Sequence, residues 1–286
     1  MLPSLLSLAA ASNGSDDSQL SVGATCVGSD ETIHDEFTSA DNRTWSFADR
    51  KYVSQFAPCY YLANHSLTNA SLSQGEGRGL KLRMSHQPCN ESTALCHGAA
   101  MASGHVSTLR LHSYGDYETR LRAPHNDVGD DSKCNEGIYG YFTAGYVDSE
   151  CGTWNEINFG FHPDRDEGGH KVSLELHADS GGYHESTSAD LGFNYRNAFH
   201  TYRIKHRPCD VSWWIDGRIQ HVLKACLTKP MHTSFILRTN DKGAMPSTTM
   251  EFAYFKFKPY KATQLRPPAN VSVTEHIAWH EAHPDF

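Results

Sequence analysis

The sequence predicts an all-β protein, and three observations support this fold class. Apolar residues come in short runs with strand-like alternation, separated by Gly, Asn and Pro. Much of the apolar content is aromatic or β-branched, with aromatic residues at 11% of the chain, and this composition favours strands over helices. No amphipathic helix longer than two turns is evident before the C-terminal tail. Many short strands with regular turns are typical of a β-sandwich or a barrel.

The predicted strands follow one another from residue 79 to residue 258. The dipeptide Asp216-Gly217 is typical of a two-residue hairpin turn, so we expect a hairpin there. The predicted strands are Gly79–Met84, His105–Leu111, Tyr114–Arg122 with a stop at Pro124, Gly137–Val147, Thr153–Phe161, Val172–His177, Phe199–His206, Val211–Ile215, Arg218–Leu223, Phe235–Arg238 and Met250–Lys258.

The composition divides the chain into four parts. Residues 1–12 are an apolar run that ends in small residues, as in a signal peptide, and residues 13–44 form a polar leader. We expect residues 45–260 to form the sandwich and residues 261–286 a tail. The tail histidines, His276, His280 and His283, share one helical face, which is compatible with a transition-metal site or with a solvated tail.

Cysteine usage and glycosylation signals predict a secreted glycoprotein. The eight cysteines contain no C-x-x-C pair, which argues against zinc-ribbon and thioredoxin-like sites. Six N-x-S/T sequons accompany this even number of cysteines, and together they favour the secretory route. Among the possible disulfides, Cys89–Cys96 is the best local candidate.

The charge balance excludes some partners. A net charge of −8 argues against nucleic acid, which needs a basic surface, but is compatible with an uncharged glycan. No uncharged apolar run is long enough to span a membrane, and no cofactor or structural metal is predicted. The 18 histidines fit either a hydrophilic surface or a pH-linked role.

The segment from Trp154 to Phe161 has two chemically different faces. On a strand, Ile157, Phe159 and Phe161 point to one side and make core. The other side of the strand carries Trp154, Glu156, Asn158 and Gly160. An aromatic ring stacks on sugar faces while polar neighbours bind hydroxyls, so this face suggests a cleft floor. The alternative is an ordinary half-exposed strand.

Four segments, in order over roughly residues 100–260, resemble glycoside hydrolase family 16, the lichenase, laminarinase and xyloglucan or fungal wall transglycosylase group. The first is Ser103-Gly104-His-Val-Ser with Tyr114-Gly-Asp-Tyr-Glu-Thr-Arg-Leu-Arg-Ala-Pro124. The others are Trp154-Asn-Glu-Ile-Asn158, Phe199-His-Thr-Tyr-Arg-Ile-Lys205 and Val211-Ser-Trp-Trp-Ile-Asp-Gly217. The resemblance implies a jelly-roll sandwich like concanavalin A, with substrate across a concave sheet.

The resemblance also implies a retaining mechanism, but the motif departs from the family pattern. The family's active strand reads E-x-D-x-E, with a nucleophile, an assisting Asp and an acid/base Glu. Glu156 stands at the nucleophile position, Asn158 replaces the Asp, and Gly160 replaces the acid/base. Retaining chemistry needs two carboxyl groups about 5 Å apart. The motif therefore supplies one catalytic carboxyl and lacks the second.

Other residues are candidates for the same cleft. If the strand Val172–His177 lies beside the Glu156 strand, Glu175 or His177 reaches the cleft, and Glu175 becomes a candidate substitute acid. The alternative for Glu175 is a polar cross-strand pair with no role in bond cleavage. We expect substrate binding by Trp154, Tyr141, His177 and Trp214.

The sequence thus predicts a secreted family 16-like hydrolase or transglycosylase that acts on O-glycosidic bonds of a β-linked, β-glucan-like polysaccharide. The alternative is a catalytically inactive, lectin-like glycan-binding protein, because Gly160 cannot transfer protons. A third hypothesis is a structural protein of the extracellular matrix.

Overall fold

The computed structural model describes residues 28–39, 41–47, 59–60, 65–68, 79–86, 101–126, 138–146, 155–162, 168–178, 183–227, 229–239, 247–261 and 278. Within this part of the chain the structure is built from strands. They are β1 (Ile33–Asp35), β2 (Trp45–Phe47), β3 (Cys59–Tyr60), β4 (His65–Thr68), β5 (Gly79–His86), β6 (Met101–Ser103), β7 (His105–Thr108), β8 (Gly115–Asn126), β9 (Ile138–Tyr146), β10 (Glu156–Phe161), β11 (Lys171–Ala178), β12 (Tyr183–Asp190), β13 (His200–Arg207), β14 (Asp210–Ile215), β15 (Arg218–Leu223), β16 (His232–Thr239) and β17 (Thr248–Pro259).

Two sheets make up the fold. The seven-stranded sheet has the order β12-β11-β10-β9-β16-β7-β2. The other has the path β15-β14-β13-β8-β17-β5-β6-β3, with β1 on β17 and β4 on β5, which makes ten strands. Pairing is antiparallel except between β3 and β6. The predicted all-β sandwich is confirmed.

The core lies between the sheets, as the period-two alternation of the strands requires. Ile157, Phe159 and Phe161 of β10 are fully buried in it, which confirms the prediction for this face. From the other sheet, Phe252 and Phe255 pack against Phe235 of β16. The core faces fix the direction of the remaining side chains, because alternate residues must point outward.

The strand predicted to stop at Pro124 in fact continues to Asn126. The pairing of β8 with β17 shifts between Thr249 and Glu251, so Ala123 and Pro124 occupy a bulge. A proline has no N–H to donate, and a bulge leaves one residue outside the ladder, so Pro124 is tolerated there.

The predicted leader, 13–44, also contributes to the sandwich. Ile33 to Asp35 pair with β17, and Phe37 is buried in the core against Trp45. Trp45 Nε1 donates a hydrogen bond to Asp35 Oδ2 at 2.7 Å. The packed structure therefore includes residues that precede position 45.

A disulfide joins Cys209, which precedes β14, to Cys226, which follows β15, and so closes the hairpin of these two strands. The predicted pair Cys89–Cys96 lies outside the described residues, as do the signal-peptide segment, four of the six sequons in full and the tail histidines. In the part of the chain that is described, no helix is long and apolar enough to cross a bilayer.

Candidate active site

The outer face of the seven-stranded sheet collects most of the predicted site residues. Glu156, Asn158 and Gly160 alternate with the core residues of β10 and so point to this face. The neighbouring strand β11 places His177 opposite Glu156 and Glu175 opposite Asn158. The adjacency that would bring Glu175 into the cleft is therefore present.

Glu156 is held by two polar partners. Asn158 Nδ2 donates a hydrogen bond to Glu156 Oε2 at 3.2 Å, and His177 Nε2 lies 3.8 Å from the same oxygen. The carboxylate of Glu156 is thus oriented by an amide where the family motif has an acid, and by an imidazole from the next strand.

Glu175 lies close to Glu156 but carries its own histidine partners. His162 Nε2 is 3.3 Å from Glu175 Oε1, and His177 Nε2 is 3.9 Å from Glu175 Oε2. Burial raises the pKa of Glu175, but the two imidazoles outweigh it and hold this pKa well below the usual range. Glu175 is therefore an ionised carboxylate in this arrangement.

The contacts of His177 set an upper limit on the distance between the carboxylates of Glu156 and Glu175, because His177 Nε2 lies within 3.9 Å of an oxygen of each. The Oε2 atoms of Glu156 and Glu175 are then less than about 8 Å apart, an upper bound that is compatible with the spacing of about 5 Å in retaining glycosidases and with part of the wider spacing in inverting ones. The distance alone permits the pair to share one glycosidic bond.

Gly160 leaves room for an imidazole. A Cβ at position 160 would lie 2.3 Å from His162 Nε2 and 3.4 Å from Ser173 Cβ. The ring of His162 thus lies across the place where an acid/base side chain would begin. His162 is buried, with its edge against the rings of Tyr139 and Tyr141.

Tyr141 belongs to the same face, opposite Gly160 on β9. Its hydroxyl accepts a hydrogen bond from Arg238 Nη2 at 3.0 Å, and the guanidinium lies 4.8 Å from the ring centre. Burial raises the pKa of Tyr141 to about 12. Tyr141 is therefore placed beside the site, but it is buried and already packed between Arg238 and His162.

Of the predicted sugar contacts, Trp214 is not brought to this face, and Trp154 is not tested. Trp154 lies outside the described residues. Trp214 points away from the core on the ten-stranded sheet, where Lys205 Nζ lies 4.6 Å from its ring and Ser212 accepts its Nε1 hydrogen bond. Its neighbour Trp213 faces the core, with Nε1 bonded to the backbone oxygen of Asn158. Neither side chain of this pair reaches Glu156 from the outer face, so the predicted sugar contact of Trp214 is corrected.

Sequence analysis missed two histidines of this face. His162 directly follows β10, and its position two residues after Gly160 is the signal that could have identified it. His184 stacks on His177, with ring centres 4.2 Å apart, but β12 was not predicted because its side chains are almost all polar.

A small polar cavity adjoins the site next to Gly160. It has a volume of about 310 Å³ and lies over β11 and β12, and it is lined by His162, Lys171, Val172, Ser173, Ser186, Thr187 and Ser188. The serine and threonine hydroxyls of this lining can form hydrogen bonds with sugar hydroxyls. Among the described residues, no group of three or more His, Cys, Asp or Glu side chains has the arrangement of a metal site.

Comparison with known proteins agrees with this geometry. Residues 62–251 match the family described as glycosyl hydrolases family 16. The chain belongs to this family. It is 27% identical to a β-glucanase of Bacillus amyloliquefaciens over 202 residues, which are 70% of this chain and 71% of that protein. It is also 27% identical to the β-glucanase of Bacillus subtilis (strain 168) over 192 residues, which are 66% of this chain and 67% of that protein.

Solved structures of family members share the fold. The β-glucanase of Bacillus licheniformis superimposes with a TM-score of 0.63 over 80% of this chain and 98% of its own, at 18% identity. A Bacteroides ovatus family 16 protein in complex with a G4G4G3G product has a TM-score of 0.62, at 14% identity, over 79% of this chain and 99% of its own. The predicted jelly-roll sandwich is thus confirmed.

Proposed function

We propose that this family 16 protein is a secreted retaining glycosidase or transglycosylase that acts on O-glycosidic bonds of a β-linked glucan. Glu156 is the nucleophile in this proposal. The observation that carries it is the pairing of Glu156 with Asn158 and His177 on the outer sheet face.

The relatives support the substrate class, because the proteins that this chain resembles are β-glucanases. The sequons, the even number of cysteines and the disulfide of Cys209 with Cys226 support secretion.

The test is turnover of lichenan, laminarin, xyloglucan and chitin oligomers, measured as new reducing ends. We expect the wild type to cleave a β-glucan with retention, so that the first product seen by NMR is the β-anomer. Glu156→Gln should lose several orders of magnitude in kcat, since an amide does not attack the anomeric carbon.

A matched control is Glu36→Gln, which removes an exposed carboxylate next to β1 of the other sheet and should leave turnover unchanged. Cleavage that survives in Glu156→Gln would refute the assignment of the nucleophile.

A second candidate function is glycan binding without turnover. It is favoured by Asn158 and Gly160, because two of the three carboxyl groups of the family motif are absent. Calorimetry with the same oligosaccharides separates the two functions, because binding by a wild type that releases no reducing ends supports this candidate alone.

A further inference from the structure

Position 160 has no side chain, so the proposed reaction requires a proton donor from elsewhere on the sheet. We propose that His177 is the general acid and base of this site. The inference rests on the proposed function, with Glu156 as nucleophile.

His177 lies beside the nucleophile. Its Nε2 atom lies 3.8 Å from Glu156 Oε2 and 3.9 Å from Glu175 Oε2, directly across the strand pair from the nucleophile. Among the four side chains that contact one another here, it is the most accessible: 19% exposed, against 15% for Glu156, 11% for Glu175 and 5% for His162. A sugar that approaches the outer face therefore meets the imidazole of His177 before the buried groups.

Glu175 is better suited to holding His177 than to donating a proton. One of its oxygens faces His162 and the other faces His177, and its pKa is held below the usual range. An ionised carboxylate accepts a proton or a hydrogen bond but cannot protonate a leaving group. Glu175 is thus a positioning residue. The ring of His184 stacks on the ring of His177 and fixes the plane of the His177 imidazole.

The ionisable groups on this face come from five strands or their ends. They include Glu156 and His162 from β10, Lys171 and Glu175 from β11, His184 from β12, Tyr139 and Tyr141 from β9 and Arg238 from β16. Histidine is the side chain that most often exchanges protons near neutral pH, which suits it to both halves of a retaining reaction.

His177 can supply and recover the proton in both steps of the retaining reaction. In the first, Glu156 attacks the anomeric carbon, the bond to the leaving oxygen breaks, and that oxygen takes the proton of protonated His177 Nε2. In the second, neutral His177 takes a proton from water, the water oxygen attacks the same carbon, and the ester bond to Glu156 breaks. The imidazole is protonated again at the end, so one cycle consumes one water and no other reagent.

The test compares a polysaccharide that the wild type cleaves with a dinitrophenyl β-glycoside of the same oligosaccharide. Dinitrophenolate leaves without a proton, so the aryl substrate does not need an acid in the first step. For His177→Gln we expect kcat/KM to fall by about 100- to 10,000-fold on the polysaccharide but by less than about 10-fold on the aryl glycoside. The aryl substrate thereby reports that the variant is folded and that Glu156 still attacks.

Azide rescue and the pH profile distinguish an acid/base role of His177 from a purely structural one. Without a base the second step limits kcat of His177→Gln on the aryl glycoside, so azide, which attacks on the same face as water and needs no base, should raise this kcat and give the β-glycosyl azide. The basic limb of the wild-type kcat/KM profile on the polysaccharide should be lost in this variant. His34→Gln, which changes an exposed histidine on β1, is the matched control and should behave as the wild type.

The possible failures can be told apart. A wild type that cleaves neither substrate overturns the proposed function. A wild type that is active, with a His177→Gln variant that keeps full polysaccharide turnover or loses both activities, overturns the role of His177. If the selective loss and the azide rescue occur in Glu175→Gln and not in His177→Gln, the acid/base is Glu175 and the proposal is wrong.

Discussion

Gly160 and His162 share a space that a single larger residue at position 160 would fill. The ring of His162 reaches Glu175 only because position 160 has no Cβ, which would lie 2.3 Å from Nε2. The loss of the family's acid/base side chain and the presence of a histidine two residues later are thus physically coupled. The same substitution that removes one carboxyl allows a histidine to hold another.

This coupling predicts the outcome of a double-mutant cycle. Gly160→Ala should lower the free energy of unfolding by about 1 to 3 kcal/mol, since the imidazole must move in a packed site. In a His162→Ala background the same change should cost less than about 0.5 kcal/mol, because the clash is gone and alanine loses less backbone entropy than glycine. Urea unfolding measures all four proteins, and equal costs in both backgrounds would show that the two positions are independent.

At the scale of elements, the β14–β15 hairpin depends on its turn. Asp216 and Gly217 both have positive φ, 47° and 76°, as the predicted two-residue turn requires. Asp216 is held there by its side chain, which accepts a hydrogen bond from the Thr201 N–H at 2.9 Å and contacts His200 Nδ1 at 2.7 Å. Gly217 needs no such contact, because it lacks a Cβ.

Gly217→Ala should therefore destabilise the protein by about 1 to 2 kcal/mol, which is the cost of a left-handed conformation for an ordinary residue. No atom lies within 4 Å of the added Cβ, so the cost is conformational and not steric. Gly217→Asn is the matched control. Asparagine tolerates this conformation, so this variant should lose less stability than Gly217→Ala. Equal losses in urea unfolding of the two variants would rule out this explanation.

Strands could be predicted where one face is apolar, and they could not be predicted where neither is. The alternation of Ile157, Phe159 and Phe161 identified β10, but β12 buries only Ala189 at the edge of its sheet and has no such pattern. The stop expected at Pro124 failed because a bulge depends on the partner strand, and no local signal specifies a bulge.

At the scale of the whole molecule, the sequence predicted single faces of strands but not how strands meet. The shared face of Glu156 and Asn158 follows from period two, whereas the contact of Glu175 with His162 depends on which strands are neighbours. Trp214 was misassigned for the same reason: two adjacent tryptophans point in opposite directions, and only the sheet arrangement decides which direction leads to the site.

Two buried histidines make the stability of the whole fold depend on pH. Burial lowers the pKa of His206 from 6.5 to about 4. Burial, together with the nearby charges of His232 and Arg110, also lowers the pKa of His112 from 6.5 to about 4. Both residues are therefore neutral in the folded protein but become protonated at higher pH in the unfolded chain.

The sign follows from this difference. The unfolded chain binds more protons between pH 6.5 and 4, so the stabilisation is complete above pH 6.5 and is lost as the pH falls toward 4. Each histidine contributes at most about 1.4 kcal/mol per pH unit in this window. Glu175 acts in the same direction, beginning about one pH unit above its unfolded pKa of about 4.5, so the range above about pH 5.5 reports mainly on the histidines.

Urea unfolding from pH 7 to pH 4.5 should therefore show a free energy that falls with acidity, most steeply below pH 6. In His206→Gln the slope should decrease by about 1 kcal/mol per pH unit, whatever the stability of the variant at pH 7. His34→Gln changes an exposed histidine and should keep the wild-type slope. A slope that is unchanged in His206→Gln would mean that His206 is not a source of the acid sensitivity, because a neutral glutamine cannot take up the proton that drives it.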